Sequence, residues 1–340
     1  MQKFLAATLT VGVLSILAPA AQAQNLNEVF RKANPSVVVI RAKGRDVSNV
    51  GVTRFTETGS GVLIAADGKV MTAAHVVNAM DEITVEALGG ERVPAKVIAS
   101  EPSADLSLLQ LERVPGGMQT AKMADSNTVR VGDQVMVIGA PYGLSHSMSV
   151  GWISARWPPN TVYKSMPLAE FFQTTATINT GNSGGPMFDM ASQVIGIVSH
   201  NISKSGGSEG LGFVVTINTA KKLLLERKSF WSGIDGTMLT GDLAAIFNVP
   251  EPAAFLVKTV AQGSSAWDMG LLGGDKIATI GGQQIAVGGD IILAVDGVPI
   301  GPDGNIEQIR NRLAAEPPGT SFKMKVLRAG KIIELTGKTP

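Results

Sequence analysis

The chain has 340 residues, of which 44% are hydrophobic and 17% charged, with a formal net charge of +1. This length favours two or three domains, and the composition is that of a globular protein with a buried core. The near-neutral charge gives no electrostatic reason to bind nucleic acid or acidic lipid. The absence of cysteine excludes disulfides, a thiol nucleophile and a cysteine-bound metal. With only three histidines, His75, His146 and His200, we expect no metal site.

The first 23 residues have the pattern of an export signal. Lys3 supplies a positive start, residues 4–18 are weakly polar to apolar, and 21-AQA-23 is a small-x-small cleavage site. A membrane anchor is the alternative, but the run of about 15 residues stops at Pro19, whereas a membrane-spanning helix needs roughly 20. We therefore expect cleavage after Ala23, no integral membrane segment in the mature chain, and a location outside the cytoplasm.

Residues 24–228 have the pattern of an all-β domain. Helical stretches are predicted only at its two ends, at Leu26 to Lys32 and at 218–228, the latter capped by Asn218 or Thr219. Short β-branched runs lie between them: Val37 to Arg41, Gly61 to Ile64, Val70 to Thr72, Ile83 to Glu86, Ala95 to Ala99, Leu106 to Leu111, Gln134 to Ile138 and Val194 to Ser199. Many short strands with hardly a helix favour a barrel or a sandwich.

Residues 229–340 differ in composition and are predicted to form a small, separate β-rich domain. A helix is predicted at 306–315, and a terminal hairpin, 326-VLRAGKIIEL-335, turns at Ala329-Gly330. The blocks 273-GGDKIATIGGQQI-285 and 288-GGDIILAVDGVPI-300 form a short internal repeat. Two copies are too few for a solenoid, so a local duplication that lengthens a loop or adds a strand pair is the simpler interpretation.

The run 180-TGNSGGP-186 contains a serine that is either a nucleophile or part of an ordinary loop. A nucleophilic hydroxyl needs a nearby base, a group that orients the base, and backbone N–H groups directed at the oxyanion. The glycines permit a tight turn in which the N–H groups of Gly181 and Ser183 are the natural donors. The run alone favours a loop, and it lacks the Gly-Lys-Ser/Thr ending of a phosphate-binding loop.

Two upstream motifs contain the partners that such a serine requires. His75 follows an apolar strand in 72-TAAHVVNA-79, and Asp105 begins one in 104-ADLSLLQL-111. Taken separately, a packed structural histidine and a turn-forming aspartate are the simpler interpretations. Together with Ser183 they follow the order His, Asp, Ser, which the chymotrypsin-type double barrel uses and other serine hydrolase folds do not.

The sequence resembles the HtrA/Deg family of exported trypsin-like serine proteases with C-terminal PDZ domains. The resemblance covers nearly the whole mature chain, and the motifs quoted for it are 59-GSGVLIAADGKVMTAAHVV-77, 104-ADLSLLQL-111, 132-GDQVMVIGAPYGL-144, 177-TINTGNSGGPMFD-189, 194-VIGIVS-199 and 210-GLGFVVTIN-218. The resemblance implies a mostly β fold, with a chymotrypsin-like double β-barrel at 24–228. One small α+β PDZ domain is expected to follow at 229–340, with an insertion near 273–300.

The same resemblance implies roles for individual residues. His75 would be the general base, Asp105 the group that orients it, and Ser183 the nucleophile. The implied oxyanion loop is Gly181, Asn182 and Ser183, and the implied substrate-binding edge is Ile197, Val198, Ser199, His200 and Asn201. The family's specificity pocket takes small aliphatic side chains. His146, in a polar loop, is expected at the surface or next to substrate rather than in the catalytic group.

In the C-terminal domain, the resemblance makes 231-WSGIDG-236 the loop that captures a peptide's C-terminal carboxylate. The backbone N–H groups of Ser232, Gly233 and Ile234 would bind the carboxylate, and the peptide would add as a strand to a sheet edge. Ser232 replaces the family's usual large apolar residue, and the repeat adds about 15 residues to the domain. The sequence therefore leaves the peptide specificity open.

As a whole, the resemblance implies an ATP-independent endopeptidase of the bacterial periplasm that cleaves unfolded or damaged proteins without a cofactor. It also implies a homotrimer, with Phe30 and its neighbours as contact candidates. The family resets its active site through loops, here 142–150, 154–172 and 199–210, so a collapsed oxyanion turn is one expected state. Two alternatives remain: a chaperone with minor proteolysis, and a peptide sensor that makes one regulated cut.

Overall fold

The computed structural model describes residues 26–227, 229–301 and 305–339, and the expected signal segment, residues 1–23, lies outside them. The described chain begins with helix α1 (Leu26–Ala33), which confirms the predicted N-terminal helix. Two closed six-stranded barrels follow, and then a smaller α+β unit. Among the described residues, no helix has both the length and the apolar character needed to cross a bilayer.

The first barrel closes in the order β1-β2-β3-β6-β5-β4. Its elements are β1 (Val37–Ser48), β2 (Gly51–Leu63), β3 (Lys69–Thr72), helix α2 (Ala74–Val77), β4 (Met80–Glu86), β5 (Arg92–Glu101) and β6 (Leu106–Leu111). Along most of β5, buried and exposed residues alternate, as expected for a strand with one face on a core. Branched aliphatic side chains fill the interior, with Val38, Ile40 and Leu109 fully buried.

The second barrel closes in the order β10-β11-β12-β9-β8-β7. Its strands are β7 (Gln134–Gly139), β8 (Ser147–Trp157), β9 (Phe171–Thr174), β10 (Pro186–Phe188), β11 (Val194–Asn201) and β12 (Gly212–Thr216). A shared apolar cluster joins the barrels, because Met71 and Leu106 of the first pack with Ile138, Phe171 and Phe188 of the second. This shared core fixes the two barrels against each other and confirms the predicted double-barrel fold.

The helix after the second barrel starts earlier than predicted. Helix α3 (Ile217–Lys221) follows β12 directly and continues as a π-helical turn at Lys222–Glu226. Its N-cap residue is Thr216, so the predicted cap at Asn218 or Thr219 is wrong. Asn218 lies inside the helix and its side-chain amide donates to Asp125 at 2.6 Å instead.

The C-terminal unit is a sheet with the strand order β13-β14-β17-β19-β20, and β18 pairs with β17. Its elements are β13 (Ile234–Thr240), α4 (Gly241–Ile246), β14 (Ala253–Val260), α5 (Ser265–Asp268), β15 (Lys276–Ile280), β16 (Gln283–Val287), β17 (Ile291–Val295), β18 (Val298–Pro299), α6 (Asn305–Ala315), β19 (Ser321–Arg328) and β20 (Lys331–Lys338). Helix α6 and the terminal hairpin lie where the sequence predicts them. The hairpin turns at Ala329 and Gly330, whose φ angles are 47° and 78°.

The internal repeat forms two consecutive strand–turn–strand units. The first copy is the separate two-stranded sheet β15–β16, and the second supplies β17 and β18 of the main sheet. The duplication therefore adds a strand pair, one of the two outcomes expected for it. The added hairpin also lies against the first barrel, because β15 contacts β1 and β2. In the second copy, Asp290 is buried and forms an ion pair with Arg328 at 2.6 Å.

Candidate active site

His75 and Asp105 meet at the end of the first barrel that faces the second. The Nδ1 atom of His75 lies 2.9 and 3.0 Å from the two carboxylate oxygens of Asp105. The backbone N–H of His75 also donates to Asp105, at 3.0 Å. Helix α2 holds the imidazole in place because its neighbours Val76 and Val77 are fully buried. The structure thus brings the predicted base and its orienting group together.

The electrostatics of this pair favour an ionised aspartate and a basic imidazole. Burial acts to raise the pKa of Asp105, but hydrogen bonds from His75 and Ser199 hold that pKa below its ordinary value. Burial acts to lower the pKa of His75, and the Asp105 carboxylate outweighs it, so the pKa of His75 is raised above 6.5. An imidazole of raised basicity beside a buried carboxylate is suited to accept a proton.

Ser183 lies on a turn of the second barrel, between β9 and β10. Its hydroxyl donates to the backbone carbonyl oxygen of Ser199 at 3.2 Å. Within the described chain, no hydrogen bond joins Ser183 to His75. Ser183, the third residue of the predicted triad, is therefore linked to Asp105 through Ser199, but its hydroxyl proton points away from His75. Such bonds are often long in ligand-free sites and tighten when substrate binds.

The turn around Ser183 leaves two backbone N–H groups free. The carbonyl oxygen of Thr180 accepts from the N–H of Tyr142 at 2.8 Å, so the N–H of Gly181, on the other side of the same planar peptide, points the opposite way. The N–H of Asn182 is used inside the turn, where it donates to Asn179 at 3.0 Å. The N–H groups of Gly181 and Ser183 donate to no acceptor among the described residues.

Two glycines of the turn have conformations and neighbours that only glycine tolerates. Gly181 has φ 100°, and a Cβ atom there would lie 2.1 Å from the carbonyl oxygen of Ala140. Gly184 has φ 81°, and its Cβ would lie 2.1 Å from the hydroxyl oxygen of Thr72. Both values are far inside van der Waals contact. The glycines thus let the backbone of the turn approach both barrels closely.

Ser60 is a site residue whose role was not predicted. Ser60 is fully buried near the end of β2. Its N–H donates to the carbonyl oxygen of Ser183 at 2.8 Å, and its hydroxyl donates to the carbonyl oxygen of Gly181 at 2.7 Å. The same hydroxyl accepts from the N–H of Ala140 at 2.9 Å. The only sequence signal was the small motif 59-GSG-61, inside a block that carried the family resemblance.

The expected substrate edge is shorter than predicted. Ile197 and Val198 are fully buried, and their backbone pairs with residues 184–186, so they support the site rather than line it. Beyond the end of β10, His200 and Asn201 pair with β12, Ser199 lies at an irregularity of that pairing, and no backbone strand pairs with residues 199–201 on the other side among the described residues. An open backbone edge therefore remains at residues 199–201, next to Ser183.

The two other histidines, His146 and His200, are only partly exposed. His146 is half-buried, and its Nδ1 atom lies 2.7 Å from the side-chain oxygen of Asn34. Burial lowers the pKa of His146. His200 is also half-buried, and its Nδ1 atom lies 2.9 Å from the hydroxyl oxygen of Ser199.

The predicted carboxylate loop of the C-terminal unit is docked on the first barrel. Trp231 donates from its indole to the carbonyl oxygen of Asn78 at 2.8 Å, and the side chain of Asn78 donates to Ile234 at 3.2 Å. Gly233 has φ 70°, and its Cβ would lie 2.4 Å from Ser264. The N–H groups of Ser232 and Gly233 have no acceptor in the described chain. The loop is thus connected to the residue that directly follows α2, the helix of His75.

A mainly apolar groove of about 340 Å³ lies beside this loop. Its walls include residues of α6 and of the sheet, and also residues of the first barrel: Phe230, Phe255, Ile309, Leu313, Phe322, Met324, Ser100, Pro102 and Ser103. From α6, Arg310 reaches the first barrel and forms an ion pair with Glu101. The groove is therefore bounded by both parts of the chain.

The double barrel, with a His-Asp pair facing a glycine-flanked serine, defines a trypsin-like peptidase class. In agreement, residues 59–197 match the family model of the trypsin-like peptidase domain. Over 342 residues the chain is 31% identical to the "Periplasmic pH-dependent serine endoprotease DegQ" of Escherichia coli (strain K12), covering 98% of this chain and 68% of that protein. The chain thus belongs to the HtrA/Deg family of serine endoproteases.

Other relatives and solved structures agree. The chain is 36% identical over 261 residues to a "Probable periplasmic serine endoprotease DegP-like" of Pseudomonas putida (strain F1), covering 74% of this chain and 53% of that protein. It thus spans about half the length of that relative. The structure of "HtrA-type protease AlgWS227A with decapeptide" is 26% identical with a TM-score of 0.56, covering 93% of this chain and 97% of that one. "HtrA-type protease AlgW with tripeptide" is 28% identical with a TM-score of 0.53, covering 93% and 96%.

Proposed function

We propose that this chain is a serine endopeptidase that cleaves unfolded or damaged proteins of the bacterial cell envelope. The observation that carries the proposal is the buried Asp105 carboxylate, which is hydrogen-bonded to His75 and, through Ser199, linked to Ser183. The names of its relatives, periplasmic serine endoproteases, support the same activity.

In the proposed mechanism, the Ser183 oxygen attacks the scissile carbonyl carbon while Nε2 of His75 takes the hydroxyl proton. Nδ1–H of His75 remains bonded to Asp105, which stabilises the imidazolium. The free N–H groups of Gly181 and Ser183 bind the oxyanion of the tetrahedral intermediate. His75 then protonates the leaving amine, and water hydrolyses the acyl-enzyme by the same proton transfers in reverse. No step uses ATP or a cofactor.

Substrate binding would also set the direction of the Ser183 hydroxyl. An extended substrate that pairs with the open edge at residues 199–201 donates a backbone N–H to the carbonyl oxygen of Ser199. Without substrate, the Ser183 hydroxyl donates to that same oxygen. The substrate N–H would therefore displace the Ser183 hydroxyl proton, which is then free to turn toward His75. The missing Ser183–His75 bond is thus a property of the substrate-free site.

We further propose that residues 229–340 form a PDZ domain that binds peptide C-termini. The free N–H groups of Ser232 and Gly233 are suited to a terminal carboxylate, and the apolar groove takes the side chain beside it. Strand β13 is the edge of its sheet and offers a free side to an added strand.

Export and assembly are proposed on the same basis. The relatives named as periplasmic support a leader at residues 1–23, cleaved after Ala23. N-terminal sequencing of the exported protein is expected to begin at Gln24, and an intact Met1 would contradict this. A homotrimer with Phe30 among its contacts is expected, and light scattering that gives the mass of a monomer would contradict it.

The proposed activity is tested by incubating unfolded casein with the wild type and with Ser183→Ala. Removal of the nucleophile is expected to lower cleavage by a factor on the order of a million. Equal cleavage by the alanine variant would refute the assignment of Ser183. In a parallel assay, the two proteins are compared for suppression of aggregation. If the wild type suppresses aggregation but cleaves nothing, the chain is a chaperone and not a peptidase.

A further inference from the structure

The imidazole of His200 is hydrogen-bonded to the network around Asp105. Ser199 donates its single hydroxyl proton to Oδ2 of Asp105, because an ionised carboxylate only accepts hydrogen bonds. The Nδ1 atom of His200 lies 2.9 Å from the same hydroxyl oxygen, on which only lone pairs remain. Nδ1 of His200 therefore carries a proton and donates it to Ser199. This geometry fixes the tautomer of His200, with Nε2 unprotonated.

Aromatic side chains hold the ring of His200 in place. Phe213 stacks on it with 5.3 Å between ring centroids, and Tyr163 and Phe171 meet it edge-on at 4.4 and 5.7 Å. Tyr163 belongs to the segment between β8 and β9, one of the loops expected to reset the active site. These contacts fix the plane of the imidazole, and with it the direction of the Nδ1–H group.

Packing alone does not account for an imidazole at this position. Nε2 of His200 is buried and has no hydrogen-bond partner among the described residues, which is unfavourable for a polar atom. A phenylalanine ring would fill the same aromatic cluster without that cost. Burial also lowers the pKa of His200 to about 4, so the ring is neutral near pH 7. The titratable groups that face it are Asp105, His75 and Tyr163.

We propose that His200 is a positioning residue for catalysis: its Nδ1–H orients the Ser199 hydroxyl, which holds the Asp105 carboxylate in the orientation that receives His75. This inference rests on the proposed peptidase function and deepens it. In this role the imidazole of His200 acts through Ser199 and needs no contact of its own with substrate.

Two variants of His200 separate the hydrogen bond from the packing. His200→Phe keeps an aromatic ring but removes the donor, and we expect kcat on a peptide substrate to fall about tenfold at unchanged KM. The acid limb of the pH profile should move to higher pH, because a carboxylate that is less stabilised by Ser199 interacts more strongly with protonated His75. His200→Asn keeps an amide donor near the position of Nδ1 and should recover both properties in part. His146→Phe, which also removes a half-buried imidazole, should leave the acid limb in place.

A double-mutant cycle tests whether His200 acts through Ser199. In a Ser199→Ala background, His200→Phe is expected to change kcat by less than twofold. A full tenfold loss in that background would overturn the proposal, as would His200→Phe with wild-type kcat and pH profile in the folded protein. A larger loss in the Asn variant than in the Phe variant would likewise overturn the proposal, because the Phe variant keeps the packing and the Asn variant keeps the donor.

A measurement on the unmodified protein keeps the inference testable if the variants do not fold. The ¹⁵N shifts of His200 near pH 7 are expected to report a proton on Nδ1 and none on Nε2. A proton on Nε2 instead would overturn the proposal. This readout does not depend on activity, so a failure of the proposed peptidase function and a failure of the His200 inference are distinguishable.

Discussion

The hydroxyl of Ser60 donates a 2.7 Å hydrogen bond to the carbonyl oxygen of Gly181, and so connects the first barrel to the Ser183 turn of the second. The N–H of Ser60 donates to the carbonyl oxygen of Ser183 as well. The carbonyl oxygens of Gly181 and Ser183 are thereby directed toward the first barrel. One buried serine, which takes no part in the proposed chemistry, thus anchors the peptide groups that follow Gly181 and Ser183 and so holds the turn that carries the proposed oxyanion donors.

Ser60→Ala is expected to lower kcat by roughly tenfold to a hundredfold, because a turn without this bond holds its N–H donors less firmly. The free energy of unfolding should fall by about 1–3 kcal/mol, since the N–H of Ala140 also loses its partner. Ser36→Ala is the matched control, because Ser36 is buried and its hydroxyl also donates to a carbonyl oxygen, that of Ala33. The control should be destabilised without loss of kcat; equal activity of the two variants would contradict the role of Ser60.

Gly181→Ala combines an unfavourable φ angle with a steric clash, and Gly51→Ala separates the two effects. The φ angles are 100° and 102°, but a Cβ at Gly51 meets nothing within 4 Å, whereas one at Gly181 would lie 2.1 Å from Ala140. Gly51→Ala should cost about 1–2 kcal/mol and leave kcat unchanged. Gly181→Ala should be less stable still and lose at least about a hundredfold in kcat. Chemical denaturation and peptide hydrolysis measure both, and similar results for the two glycines would refute the close approach.

The raised pKa of His75 sets the pH dependence of the proposed reaction. The base acts in its neutral form, so kcat/KM should decrease as the pH falls through a value above 6.5. Asp105→Asn removes the charge that raises the pKa of His75, so the acid limb should move to lower pH. The same change should lower kcat about 10⁴-fold, because the amide no longer fixes the tautomer of His75. An acid limb that stays in place in the Asn variant would show that Asp105 does not control His75.

Two ion pairs of the C-terminal unit should differ in their contribution to stability. Asp290 is 1% exposed and accepts two hydrogen bonds from Arg328, so Asp290→Ala should destabilise the unit by about 3–5 kcal/mol. Glu334 pairs with Lys323 at the surface, where both side chains are more than half exposed, and Glu334→Ala should have little effect on stability. Hydrogen exchange of the β17 amides in the full chain measures both effects. Equal loss of protection in the two variants would contradict this difference.

The sequence predicted those elements whose pattern is local. Strand β6, at Leu106–Leu111, is a mostly apolar run and lies where it was predicted. Strand β10 was missed because three residues, Pro186–Phe188, are too short to show a period. Strand β8 was missed because exposed residues interrupt its apolar ones. Tertiary pairing in the second barrel, rather than local preference, determines these strands.

The residues of the proposed triad could be selected from the sequence because each has a reactive group in a motif of its own. Ser60 was not, because its role depends on a hydrogen bond to a residue 121 positions away in the chain. The environment of His200 depends on an irregularity in the pairing of β11 with β12 between Val198 and His200. Successive side chains of a regular strand point to opposite faces, so the sequence alone gave no reason to place Ser199 and His200 in one network.

Covalent labelling tests the identity of the nucleophile most directly. The wild-type protein is treated with a fluorophosphonate, and the modified residue is identified by mass spectrometry of its peptides. We expect one adduct per chain, on Ser183, which disappears in Ser183→Ala and forms far more slowly in His75→Ala because the serine has lost its base. Casein cleavage by a protein that is labelled on another serine, or on none, would contradict the assignment of Ser183 as the nucleophile.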